Sequence, residues 1–146
     1  MKVYIKKLNE ELNIPYKKHE SDYCFDCWAT SCKEVAPNVY EYGLGFAIQI
    51  SRSEFSASCA TLRARSSIWK TGMVLSNSVG TIDLDYQGEI KAVFYHVMPN
   101  MPKYEVGDRV CQIHLDFSLP IEWVEVEDFE EETERGAGGY GSTGLR

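Results

Sequence analysis

Between about Val3 and Glu125 the chain consists of short runs rich in Val, Ile, Tyr, Phe and Thr, broken at short intervals by Gly, Pro, Asn and Asp. That rhythm predicts an all-β domain. Val3 to Ile5 reads as an opening strand and Gly45 to Ile50 as another. From Phe55 to Arg65 the pattern alternates loosely, with Ala60, Leu62 and Ala64 on one face and Thr61, Arg63 and Arg65 on the other. Ile90 to Val97 and Val110 to Phe117 predict two further strands, and Pro99, Pro102 and Gly107-Asp108 punctuate the connection between them. No long stripe of helical period occurs. One short helix is expected from Ser66-Ser67 through Ile68-Trp69-Lys70 to Gly72, with a serine as N-cap. Asn77 and Gly80 predict the tight bend of a β-hairpin, with Asp83 and Tyr86 just downstream.

A chain of 146 residues with 44% hydrophobic content is enough for one domain with one core. Its 15 basic and 22 acidic residues give a formal net charge of -7, which argues against a broad nucleic-acid-binding or anionic-membrane face. Seven of the acids lie between Glu125 and Glu134, so the rest of the chain is electrically balanced and has room for a local cationic pocket. No apolar run approaches the ~20 residues of a membrane span, and the N-terminal residues lack the apolar stretch of a signal peptide. A cytosolic protein is expected. Cys24, Cys27, Cys32, Cys59 and Cys111 form an odd set, which suits reduced thiols better than a disulfide framework. Cys24-x-x-Cys27 followed by Cys32 resembles part of a zinc site but has no fourth ligand at matching spacing.

Two other stretches carry chemistry. Arg65-Ser66-Ser67, where a strand hands over to a helix, is either a phosphate site or a plain cap beside a solvated arginine. After the acidic run, five glycines fall in the nine positions from Gly136 to Gly144. Such a segment packs no core of its own. It is either a linker or an anion clamp and base-stacking lid, with Arg135, Tyr140, Ser142 and Thr143 supplying the functional groups. His19, His96 and His114 show no spacing that suggests a catalytic triad.

The order of five segments adds more than any one of them. These are Tyr23-Cys24-Phe25-Asp26; Arg65-Ser66-Ser67-Ile68; Asn77 through Ile90; Gly107-Asp108-Arg109-Val110-Cys111-Gln112; and Arg135 through Gly144. Together they resemble the five ordered motifs of the trimeric dUTPases, over nearly the whole chain. The departures are Cys24 and Cys27-Trp28 in the first motif, Ala64 and Ser67 around the second, Gln87 for a frequent Arg and Tyr140 for a frequent Phe.

The resemblance implies a jelly-roll-like (β-clip) subunit assembled as a homotrimer, each active site drawing on all three chains. Residues 1–125 would form the body, and 126–146 an acidic tether and glycine-rich arm that completes the site. The implied reaction is hydrolysis of dUTP to dUMP and pyrophosphate, which limits uracil in DNA and supplies dUMP. Asp83 would activate the attacking water, helped by Gln112. Arg65, Ser66 and Ser67 would hold the phosphate chain. Asn77, Gly80, Thr81 and Ile82 would read the uracil edge, and Tyr86 would pack under the deoxyribose. Arg135 would grip the γ-phosphate, Tyr140 would stack on uracil, and Gly139, Gly141, Ser142 and Thr143 would close over the ligand. Mg²⁺ would arrive chelated by the triphosphate, with Asp26 touching it through water. Two alternatives share the fold: a dCTP deaminase-like enzyme, and a non-catalytic nucleotide-binding trimer that regulates another protein.

Overall fold

The computed structural model describes residues 2–50, 57–119, 121–130, 133–134 and 136–138. Ten strands appear among them: β1 (Val3–Lys7), β2 (Phe25–Trp28), β3 (Ser31–Ala36), β4 (Val39–Gly43), β5 (Phe46–Ile50), β6 (Ala57–Ala64), β7 (Met73–Leu75), β8 (Val79–Ile82), β9 (Lys91–His96) and β10 (Arg109–Ser118). One four-stranded sheet has the order β2-β10-β6-β8, a second the order β3-β4-β9-β7, and β1 pairs with β5 in a separate ribbon. All the pairings are antiparallel.

Side chains alternate across a strand, so each sheet sends every second residue inward. Ala60, Leu62, Cys111 and Ile113 from the first sheet meet Tyr42, Ala92, Phe94, Met73 and Leu75 from the second, and Phe46 and Ile50 of β5 join the same core. Tyr42, Phe94 and Tyr104 pack edge to face at centroid distances of 5.7, 6.3 and 5.5 Å. The Tyr42 hydroxyl donates to the Tyr104 carbonyl at 2.7 Å, so the polar end of a buried ring is satisfied. Gly45 takes φ +73° in the turn from β4 to β5, and a Cβ there would lie 2.8 Å from Thr30. Only glycine fits that turn.

The five strands expected from the hydrophobic pattern are all present among the described residues, within a few residues at their ends, and Phe55 and Ser56 at the start of the third lie outside the described residues. Two local expectations change. The short helix is a 3-10 helix of five residues, Ser66–Lys70, capped by extended Arg65 with no side-chain cap hydrogen bond. A single turn of this kind aligns too few peptide dipoles to attract anions, so side chains carry the electrostatics there. The bend at Asn77 is real, with Ser78 at φ 59°, but it is not a hairpin. β7 pairs with β9 and β8 pairs with β6, so the turn carries the chain from one sheet to the other.

β10 contains an irregularity that decides which residues face outward. Against β2, Arg109 lies opposite Trp28 and Cys111 opposite Cys27, which leaves Val110 as an extra residue. Val110 and Cys111 are both fully buried. In a regular strand, residues three apart face opposite ways. The bulge at Val110 restores Arg109 and Gln112 to the same outer face.

Phe94 is fully buried at the centre of the aromatic group. Phe94→Ala is expected to lower unfolding stability by about 3–5 kcal/mol, read as a shift of the urea midpoint.

Candidate active site

On the outer face of the first sheet, Asp26 of β2 lies directly opposite Gln112 of β10. Arg65 follows the last residue of β6 and reaches across β10 to that carboxylate. Its Nε donates to Asp26 Oδ1 at 2.8 Å and its Nη2 to Oδ2 at 3.2 Å, a two-point fork. Arg109 Nη1 donates to the same Oδ2 at 3.0 Å. The third guanidinium nitrogen, Arg65 Nη1, contacts Ser67 Oγ at 3.3 Å and the Arg109 carbonyl at 3.4 Å. Gln112 Nε2 donates to the Ala64 carbonyl at 2.8 Å, which ties the end of β6 to β10. The Asp26 and Arg65 side chains are only 19% and 22% exposed, so these charged contacts are partly shielded from water.

These groups border a cleft of about 540 Å³. Asp26, Arg65, Ser66, Arg109 and Gln112 form one side of it, and the loop ahead of β2 supplies Tyr16, Lys18, His19, Asp22, Tyr23 and Cys24. Burial pushes the Cys24 thiol up from its usual range, and Arg63 and Lys17 partly offset that. With three fixed cations and two carboxylates, the cleft is positive in a protein that is acidic overall. Its size and charge suit a chain of phosphates. The Asp26 carboxylate serves both arginines, so its evident task is to orient Arg65. Among the described residues no group of three His, Cys, Asp or Glu could hold a metal ion.

The remaining expected residues lie elsewhere. Thr81, Ile82, Asp83 and Tyr86 border a separate pocket of about 220 Å³ with Glu89, Ile90 and Lys91. The Tyr86 hydroxyl donates to the Glu89 carbonyl at 2.9 Å, and its ring lies over Gly88, where a Cβ would come within 2.5 Å of that hydroxyl. Asn77 folds toward Gly80, where a Cβ would lie 3.1 Å from the Asn77 side-chain nitrogen. Ile82 pairs with Ala60, so Asp83 comes level with Cys59 at the far end of β6 from Arg65. At about 3.3 Å per residue, the two sites are roughly 20 Å apart along the strand. Arg135, Gly139, Tyr140, Gly141, Ser142 and Thr143 lie outside the described residues.

Sequence reasoning assigned no role to Arg109, Lys18 or His19, which all border the cleft. The Arg-x-x-Gln spacing of β10 was visible, but the bulge that brings both side chains to one face was not. His114 has close partners after all: Thr61 Oγ1 lies 2.7 Å from its Nδ1 and Asp116 Oδ1 2.7 Å from its Nε2. Thr61 is only 5% exposed, so this Thr-His-Asp series is an internal brace rather than a nucleophile.

An all-β fold with a cationic cleft at one end of β6 and a carboxylate-bearing pocket at the other has the charge and space for a small polyphosphate. More specifically, the chain belongs to the dUTPase family, whose model matches residues 10–144. The deoxyuridine 5'-triphosphate nucleotidohydrolase of Corynebacterium diphtheriae is 33% identical over 144 residues, covering 98% of this chain and 93% of that protein. The enzyme of the same name from Nautilia profundicola is 36% identical over 146 residues, covering 99% of each. Among solved structures, the Staphylococcus bacteriophage 80alpha dUTPase with dUPNHPP has a TM-score of 0.81 at 21% identity over 99% of both chains, a likeness of fold.

Asp26→Asn would leave two partly shielded guanidiniums without their counter-charge. The expected loss of stability is on the order of 1–3 kcal/mol, measured by urea unfolding, with Arg109→Lys retaining most of it.

Proposed function

We propose that this chain hydrolyses dUTP to dUMP and pyrophosphate as a homotrimer whose active sites combine groups from neighbouring copies. The observation that carries the reaction is kinship over residues 10–144 with enzymes named for it. The shared site is supported by distance. A water held by Asp83 must stand next to the α-phosphorus of a phosphate chain held by Arg65, Ser66 and Ser67. Within one chain those groups are roughly 20 Å apart, too far to act on the same atom, so the Asp83 of one copy serves the Arg65 cleft of another.

In this reading Arg65, oriented by Asp26, and the two serine hydroxyls neutralise the polyphosphate, with Ser66 beside the departing pyrophosphate. Asp83 takes the proton of the attacking water and Gln112 helps to align it, so that positioning supplies most of the advantage. Asn77, Gly80, Thr81 and Ile82 read the uracil edge. Tyr86, held by its bond to Glu89, lies under the deoxyribose where a 2'-hydroxyl would clash. Exclusion discriminates better than the ~1–3 kcal/mol that one methyl contact provides. Magnesium belongs to the substrate: the triphosphate carries the ion, and no protein cage is required.

Residues 1–125 act as the body and 126–146 as the arm, supported by the end of the last strand at Ser118 and the exposure of residues 121–130. Arg135 grips the γ-phosphate, Tyr140 stacks on the base, and Gly139, Gly141, Ser142 and Thr143 complete the cover. The setting is cytosolic, a compartment that suits five free thiols.

With Mg²⁺ present, pyrophosphate is expected from dUTP and not from dCTP, dTTP or UTP; release from none of the four would sink the enzyme reading. Asp83→Asn and Arg65→Ala should each lower turnover by about a hundredfold or more. Mixed trimers of these two variants, co-expressed with different tags and purified through both, should regain part of the activity. If each site were confined to one chain, mixing would restore nothing. Ending the chain at Glu134 should leave the trimer assembled and cut turnover on the order of a hundredfold, checked by sedimentation and pyrophosphate release.

A further inference from the structure

The cleft is built from cations, yet both of its arginines are already engaged. Arg65 and Arg109 share the Asp26 carboxylate. Asp22 is engaged as well, its Oδ2 accepting from the His19 backbone at 2.9 Å. The remaining fixed cation on the wall is Lys18. Among the described residues no carboxylate pairs with it.

The backbone explains why Lys18, and not its neighbour, faces the cleft. Tyr16 and Asp26 exchange two backbone hydrogen bonds, of 3.2 and 2.8 Å, which close residues 17–25 into a loop anchored on the Asp26 strand. Asp22 N donates to the His19 carbonyl at 3.0 Å and tightens the tip. Lys17, the first residue beyond the neck, lays its ammonium 4.6 Å above the Phe25 ring. At Lys18 the chain bends toward the loop tip, and this side chain borders the cleft with Arg65 and Ser66.

Resting on the dUTP reading above, we propose that Lys18 is a polyphosphate-binding residue that contacts the β- and γ-phosphates and follows the pyrophosphate as it leaves. A magnesium-bound triphosphate remains anionic, and an arginine shared with a carboxylate gives up only part of its charge to a ligand. A lysine with no carboxylate partner presents its full charge on a flexible stem, which suits a group that moves during the reaction. dUMP has neither a β- nor a γ-phosphate, so it should not sense this residue.

Lys18→Ala in the full-length protein is expected to raise the KM for dUTP about three- to tenfold with kcat changed less than about twofold. Calorimetry should show pyrophosphate binding weakened by the same factor and dUMP binding unchanged. Lys18→Arg should restore most of the affinity, and Lys17→Ala should match the wild type in every measurement. The proposal is overturned if Lys18→Ala binds pyrophosphate as the wild type does, if dUMP binding falls as far as pyrophosphate binding, or if Lys17→Ala has the same effect. Absence of dUTP turnover in the wild type would count against the family reaction instead, while the pyrophosphate comparison still decides the role of Lys18.

Discussion

One carboxylate, Asp26, organises the cationic cleft by binding two guanidiniums that come from different parts of the chain. Arg65 arrives from the end of β6 and Arg109 from the start of β10, 39 and 83 residues away in sequence. They meet because β10 runs between β2 and β6 in one sheet, so any side chain joining the outer strands must cross it. Two long, flexible side chains are thereby held in defined orientations before a ligand enters. The cost is that one carboxylate neutralises half of the charge that the two arginines bring. That makes the surrounding loop, rather than the arginines alone, important to how an anion is received.

The same sheet order keeps the two candidate sites apart. β6 has β10 on one side and β8 on the other, and antiparallel pairing runs β8 toward the end of β6 opposite Arg65. Arg65 and Asp83 therefore lie at opposite ends of one strand. No side-chain movement spans that distance, so under the proposed shared site only association of copies would bring Asp83 to an Arg65 cleft. In that proposal assembly and activity rest on the same contacts, and a mutation far from Asp83 would abolish turnover by moving the neighbour that uses it.

What was legible in the sequence follows from the range of each signal. The alternation of Ala60, Leu62 and Ala64, and the apolar run of β10, are local patterns fixed by burial, and they predicted strands correctly. β3 was not legible because nearly all of its side chains are exposed, and its pairing with β4 rests on backbone hydrogen bonds. The bend at Asn77 was readable as a bend. Which strands it joined was not, since strand partners are chosen by the rest of the sheet. Ser66-Ser67 looked like a helix start, but five residues before Gly72 leave space for only a 3-10 turn. Asp26, Arg65 and Gln112 were recognisable by motif, and the structure brings them to one cleft. Arg109 and Lys18 were not, because a partner 83 residues away and the choice of face between Lys17 and Lys18 leave no mark on nearby residues.

The bulge at Val110 can be restated as a rule of parity. A strand sorts residues by even and odd position, and Arg109 and Gln112 have opposite parity although the cleft needs both. One unpaired residue reverses the count between them and leaves everything beyond Cys111 in step with β6. A one-residue deletion in this stretch would therefore do more than shorten a strand. It would force a choice between the arginine that steadies Asp26 and the glutamine that ties β10 to the Ala64 carbonyl, with the loser turned into an apolar core. The spacing of that motif records a backbone defect that the fold must keep, and no change of side chain can replace it.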